Sequence, residues 1–109
     1  MKKILVAFAD KKIKKAYEKL NKNNEEGSLL KLINRAIDDL KKQPDIGIKI
    51  PKYLWPKEYI KKYNINNLWK YDLPNGWRLI YTIKTNEIEI ISVILEWFNH
   101  KEYEKRFKY

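Results

Sequence analysis

Residues 67–103, NLWKYDLPNGWRLIYTIKTNEIEIISVILEWFNHKEY, decide how this chain folds. The stretch reads as three strands joined by two tight turns, followed by a polar segment that carries the only histidine of the sequence. Pro74-Asn75-Gly76 and Thr85-Asn86 are the turn signals, because asparagine and glycine accept the positive φ that tight hairpins demand. In the middle strand Trp77, Leu79, Tyr81 and Ile83 alternate with Arg78, Ile80, Thr82 and Lys84, so the two sets point to opposite faces. One face can pack on a core while the other carries an arginine. The third strand, Glu87 to Leu95, alternates at first and then turns apolar on both faces, as a central strand does. His100 and Tyr103 come directly after it. The sheet is therefore expected to bring an arginine, a histidine and a tyrosine into one neighbourhood.

Working outward, Lys2 to Phe8 reads as a first strand. Asp10 is placed to cap a first helix, with Ile13, Ala16, Tyr17 and Leu20 recurring at helical spacing between lysines. Asn21 to Gly27 is a polar break, and Ser28 can cap a second helix whose buried stripe is Leu29, Ile33, Ala36, Ile37 and Leu40. Pro44 marks its end. The two stripes suit a helical hairpin on one face of the sheet. Gly47 to Ile50 can form a short strand closed by Pro51. Pro56 sits at the first turn of a short helix, Lys57 to Tyr63. Trp55, Tyr59 and Tyr63 can share a face there; anchoring the segment to the sheet is favoured over stacking on bases. The expectation is a single α+β domain spanning residues 1–109: β-α-α, an antiparallel meander, and a short C-terminal helical tail.

A chain of 109 residues holds one core. None of its apolar runs approaches the roughly 20 residues a membrane helix needs. The lysines at its start followed by ILVAFA read as a buried first strand, because Asp10 ends the run too soon for a signal peptide. The absence of cysteine rules out disulfides and thiolate metal sites and suits a cytoplasmic protein. The net charge of +10 favours a polyanionic partner, nucleic acid or an acidic protein. The first 22 residues carry eight lysines against two acids, and residues 51–62 carry four lysines against one. The charge excess thus lies outside the strands.

With three glycines there is no dinucleotide fingerprint, and with one histidine a zinc site is improbable. Metal-free chemistry built from His, Tyr, Arg, Lys and Glu remains. Cleavage of RNA by its own 2′-hydroxyl fits that set: a base takes the 2′ proton, an acid protonates the departing 5′-oxygen, and a cation steadies the phosphate. Histidine exchanges protons near neutral pH, which makes His100 the natural acid or base. Arg78 can grip a phosphate bidentately, or it can simply pair with Asp72 or Glu89. Tyr103, three residues after His100, can share its face on a helix, stacking on a base or assisting proton transfer. One histidine cannot serve as acid and base in one step, so Lys101, Glu102 or a lysine of residues 51–62 is a candidate for the second role.

The segments WRLIYTI at Trp77–Ile83, EIISVILE at Glu89–Glu96 and HKEYEKRF at His100–Phe107 resemble toxins of the RelE/ParE superfamily, the toxin halves of type II toxin–antitoxin pairs. The H-x-x-Y tail is more similar to the ribosome-dependent, mRNA-cleaving RelE-like and HigB-like members than to the ParE-like gyrase poisons. The resemblance implies a metal-independent endoribonuclease, with no cofactor, that cuts mRNA in the ribosomal A site and is neutralised by a cognate antitoxin. It implies that Arg78 contacts the scissile phosphate and that His100 and Tyr103 serve proton transfer and stacking. Lys52, Lys57, Lys61, Lys101 and Arg106 are the expected RNA contacts. The tail has fewer arginines than some RelE members, and the segment between Trp55 and Trp69 is longer than in the shortest ones. A non-nuclease poison of DNA gyrase and a non-catalytic basic RNA-binding domain are the alternatives. If Arg78 and His100 stood well over about 12 Å apart, the shared site would fail.

Overall fold

The computed structural model describes residues 2–20 and 27–107. Its centre is a five-stranded sheet in the order β1-β5-β4-β3-β2. The strands are β1 Lys3–Phe8, β2 Ile48–Lys49, β3 Trp69–Asp72, β4 Arg78–Thr85 and β5 Glu89–Phe98. The meander β3-β4-β5 is antiparallel, as its turn signals demand, and β2 adds antiparallel to its edge. On the other side β1 pairs parallel with β5, from Lys3 opposite Glu89 to Phe8 opposite Ile94. The first and last strands of the sheet are thus neighbours, a pairing that local periodicity does not reveal.

Helices α1 (Lys11–Lys19) and α2 (Gly27–Lys42) cover one face. Ile33, Ala36 and Leu40 pack there with Leu79, Tyr81 and Ile94. The helix α2 takes in Ser28, whose capping role lies outside the described residues, as do residues 21–26 of the polar break. Asp10 caps α1 by accepting from the Ile13 amide at 2.9 Å. It also accepts from the Tyr63 hydroxyl at 2.9 Å and pairs with Lys62 Nζ at 3.2 Å. The backbone hydrogen bond from Ile13 holds its carboxyl below the usual range. Lys62 is consequently tied to the start of α1.

The opposite face is not left to solvent. Helices α3 (Lys57–Tyr63) and α4 (His100–Phe107) close a second core there, with Ile50, Tyr59, Leu68, Ile80, Leu95, Tyr103 and Phe107. Leu95 reaches it through a bulge. Ile80 pairs with Glu96 and Tyr81 with Ile94, so Leu95 is the extra residue in β5. That insertion puts Leu95 and Glu96 on the same face, and the strand reads as apolar on both sides because a core covers each face. The turn before β4 is tight, with positive φ at Asn75 and Gly76. The turn before β5 takes residues 86–88, with Asn86 Oδ1 accepting from the amides of Ile88 and Glu89 at 2.9 and 2.8 Å. The strand therefore starts at Glu89, not Glu87. The helix α3 has the expected limits, and Trp55 and Tyr59 act as anchors: Trp55 donates to the Ile50 carbonyl at 2.8 Å and Tyr59 is buried.

The edge strand β2 is locked through Tyr81. Its hydroxyl donates to the Pro44 carbonyl at 2.7 Å and accepts from the Gly47 amide at 3.1 Å, and burial pushes its pKa up to about 12. A Cβ at Gly47 would lie 2.6 Å from both the Lys70 carbonyl oxygen and that hydroxyl. Gly47→Ala is expected to lower stability by about 1–3 kcal/mol through overpacking. A reduced urea midpoint at unchanged slope would show it, with exposed Ile88→Ala as the neutral control.

Candidate active site

The second face of the sheet carries a cationic cluster built from alternation. In β3, Lys70 and Asp72 point away from Trp69 and Tyr71, which pack on the first core. In β4, Arg78 stands opposite Asp72 on one side and Phe98 on the other. Arg78 Nε lies 2.9 Å from Asp72 Oδ1, and Lys70 Nζ 3.5 Å from the same oxygen. The arginine contact is close but poorly aligned: Nε is buried without a well-directed hydrogen-bond acceptor, and NH1 donates to the Trp77 carbonyl at 3.3 Å. The pair is therefore electrostatic more than geometric.

Tyr103 lies beneath both cations. Its ring centroid is 5.5 Å from Lys70 Nζ and 5.6 Å from Arg78 Cζ, within cation–π range. It also stacks on Phe107, with centroids 4.6 Å apart. At 2% exposure the ring belongs to the second core, and it does not share an outward face with His100. Tyr103 and Phe107, four residues apart, occupy the buried stripe of α4. His100 and Glu104 take the neighbouring exposed stripe, with Nε2 2.8 Å from Glu104 Oε1.

His100 is nonetheless close to Arg78. Arg78 pairs with Phe98, and two residues further along each strand Gly76 meets His100. A Cβ on Gly76 would be 3.3 Å from His100 Cβ. That contact sets His100 beside the turn that leads into Arg78. Asn99 and Glu102 form a capping box that fixes where α4 begins: Glu102 N donates to Asn99 Oδ1 at 2.9 Å and Asn99 N to Glu102 Oε1 at 3.2 Å. Glu102 is thereby engaged in capping and is not a free proton-transfer group.

The cations assigned to RNA separate into two kinds. Lys52, Lys57, Lys61 and Lys101 are exposed. Arg106 is not free: its NH1 is 2.9 Å from both Glu58 Oε2 and Glu96 Oε1, and its guanidinium lies over the Phe98 ring. It ties α3, β5 and α4 together beside the buried Tyr59 hydroxyl, whose pKa is raised by burial and then by the Glu96 charge. That hydroxyl is buried without a well-aligned hydrogen bond. Lys70 and Glu104 were not among the expected residues, whereas Asp72 is the partner that the sequence offered for Arg78. The i, i+2 spacing of Lys70 and Asp72 and the i, i+4 spacing of His100 and Glu104 were the available signals. Among the described residues no three His, Asp or Glu side chains converge as a metal ion would need.

A groove of about 550 Å³ lies away from this cluster, lined by Lys49, Asn67, Trp69 and Thr82 among others. Its asparagine is structural: Asn67 Oδ1 accepts from Ile83 N at 2.8 Å and from Trp69 Nε1 at 3.1 Å. The Arg78 cluster is separate from this hollow, whose lining does not include Arg78, Lys70 or Asp72.

A family model described as the ParE toxin of the type II toxin–antitoxin system, parDE, matches residues 7–95. The chain belongs to this family. It is a toxin of the RelE/ParE superfamily, and a cognate antitoxin is the partner that membership implies. The matched region includes Lys70, Asp72 and Arg78 and ends before His100 and Tyr103. No curated protein and no solved structure matches the toxin. Among the described residues no helix is long and apolar enough to cross a membrane.

Asp72 shields the two cations on which an anion would act. Asp72→Asn is expected to tighten binding of inorganic phosphate by roughly tenfold at low salt, with the gain shrinking as salt rises. Phosphate titration followed by the amide shifts of Lys70 and Arg78 measures it. Unchanged affinity would show that the Asp72 charge is not felt at this place.

Proposed function

We propose that this toxin is a metal-independent, ribosome-dependent mRNA endoribonuclease acting through Arg78, Lys70 and His100. The observation that carries the reading is the pair of cations on the Tyr103 ring, one strand-pair step from a histidine. Arg78 and Lys70 are largely withdrawn from water, with side chains 19% and 20% exposed. Their stems are held by the sheet, so an arriving phosphate meets charge that is already positioned. Asp72 is more exposed and can turn toward solvent as the phosphate takes its place.

The 2′-oxygen attacks the phosphorus, and the 5′-oxygen leaves. With Nε2 facing Glu104, the Nδ1 of His100 is the nitrogen that takes the 2′ proton. Glu104 steadies the resulting imidazolium, as the carboxylate of a hydrolytic triad does. The Lys70 ammonium gives its proton to the 5′-oxygen, and Arg78 holds the charge that builds on the phosphate. The products are a 2′,3′-cyclic phosphate and a 5′-hydroxyl. Tyr103 positions the two cations from below. The exposed Lys52, Lys57, Lys61 and Lys101 hold RNA backbone, and the ribosome presents the mRNA.

The second reading is a ParE-type poison of DNA gyrase. The description of the matched family favours it, and so does the end of the match before the histidine. Under that reading His100 is dispensable. Wild type, Arg78→Ala and His100→Ala should be induced in growing cells and mRNA 5′ ends mapped. The nuclease reading expects growth arrest with new ends inside translated codons, and loss of both by at least a hundredfold in either variant. Arrest with intact mRNA, retained in His100→Ala, would move the assignment to the gyrase poison.

A further inference from the structure

The most exposed large side chain among the described apolar and aromatic ones is Tyr53, at 85%. It sits in the single helical turn Lys52–Leu54, between β2 and α3. Its neighbours in sequence turn inward: Leu54 and Trp55 pack on the second core. Tyr53 itself stands at the rim of a groove of about 530 Å³ that is lined by Trp55, Pro56, Lys57, Arg106 and Phe107 as well. Glu58 also lines this groove, paired at 2.9 Å with an Arg106 guanidinium that it shares with Glu96. What remains is an unscreened aromatic ring flanked by two exposed lysines, Lys52 and Lys57. An exposed ring next in sequence to Lys52, on a groove that Lys57 also lines, suits a partner with flat faces and regularly spaced negative charge.

We infer that Tyr53, with Lys52 and Lys57, forms a base-stacking subsite for single-stranded mRNA flanking the cut. The inference rests on the nuclease reading for its RNA source, and it adds a contact that reading does not contain. Its location supports it. The groove abuts Phe107 at the C-terminal end of α4, and His100 and the Arg78 cluster lie at the N-terminal end. Eight residues of helix span about 12 Å, a separation that a few nucleotides of extended RNA can bridge. Lys101 and Lys105, four residues apart on α4, are exposed between those two ends. A base on Tyr53 and phosphates on the lysines would hold the strand in register with Arg78. Stacking accepts any base, so the subsite lends affinity and direction, not sequence choice.

The test uses the purified chain and a short unstructured RNA carrying 2′-O-methyl groups throughout, which cannot be cut. Fluorescence anisotropy should show Tyr53→Ala binding about tenfold or more weaker than wild type, with Tyr53→Phe restoring it. Lys52→Ala and Lys57→Ala should each reduce the slope of affinity against salt by about one, and Tyr53→Ala should leave that slope unchanged. Because Tyr53 is outside both cores, its variants should melt as wild type does. Equal affinity of Tyr53→Ala and wild type would overturn the inference, as would a wild type with no affinity for the RNA. It would also be overturned if Tyr53→Ala lost affinity only for the cognate antitoxin, since the surface would then belong to a protein. Cleavage on mRNA-programmed ribosomes separates the two claims. A wild type that cuts, with Tyr53→Ala cutting at unchanged KM, sinks the subsite and keeps the nuclease. Tyr53-dependent RNA binding in a toxin that does not cut keeps the subsite and sinks the nuclease.

Discussion

Strands β4 and β5 must be covered on both faces, and that requirement shapes the rest of the toxin. Leu79, Tyr81 and Ile94 look toward α1 and α2, and Ile80 and Leu95 look toward α3 and α4. A purely alternating β5 would follow Ile94 with Leu95 on the second face and turn Glu96 toward the first core, away from Arg106. The bulge at Leu95 resolves this by giving the second face two successive residues, Leu95 for packing and Glu96 for Arg106. Because the second face needs a roof, α4 must fold back over it. Tyr103 and Phe107 are buried for that reason, and the same folding back brings His100 beside the turn before Arg78. The candidate site is thus a by-product of closing a core.

Electrostatics divides the molecule along the same lines. Cations that meet carboxylates hold elements together: Lys62 with Asp10, and Arg106 with Glu58 and Glu96. These contacts join α3 to the start of α1 and to α4. Lys70 and Arg78 share a single acid, so their neighbourhood keeps net positive charge even when Asp72 is in place. The lysines at 52, 57, 61 and 101 add exposed charge that can attract a polyanion over the distance of a Debye length. A positive field of this kind serves two partners of the toxin: the antitoxin its family implies and, in the proposed activity, RNA.

Much of this was legible in the sequence where the signal is local. The faces of β4, the cap at Asp10, the stripes of the first two helices and the limits of α3 follow from periodicity and turn chemistry. The family followed from short segments of β4, β5 and the tail. Contacts between distant residues were not legible. The parallel pairing of β1 with β5 spans more than eighty positions, and a one-residue bulge leaves no mark in an apolar run. Arg106 looked like a free cation because its carboxylates come from α3 and β5. Tyr103 was expected to share a face with His100, although its spacing to Phe107 is that of a buried stripe. Lys70 and Asp72 were visible as an alternating pair, but only the β3–β4 register shows that they converge on Arg78.

The central claim is that the Arg78 cluster and His100 act together on one phosphodiester of translated mRNA. The most direct measurement uses purified toxin, ribosomes programmed with a defined mRNA, and a matched mRNA with a single 2′-deoxynucleotide at the cut. Product ends are read chemically. The account predicts a 2′,3′-cyclic phosphate and a 5′-hydroxyl from the natural mRNA, none from the deoxy mRNA, and none from either with Arg78→Ala or His100→Ala. Cutting of the deoxy mRNA, or intact natural mRNA from a toxin that still arrests growth, would contradict it.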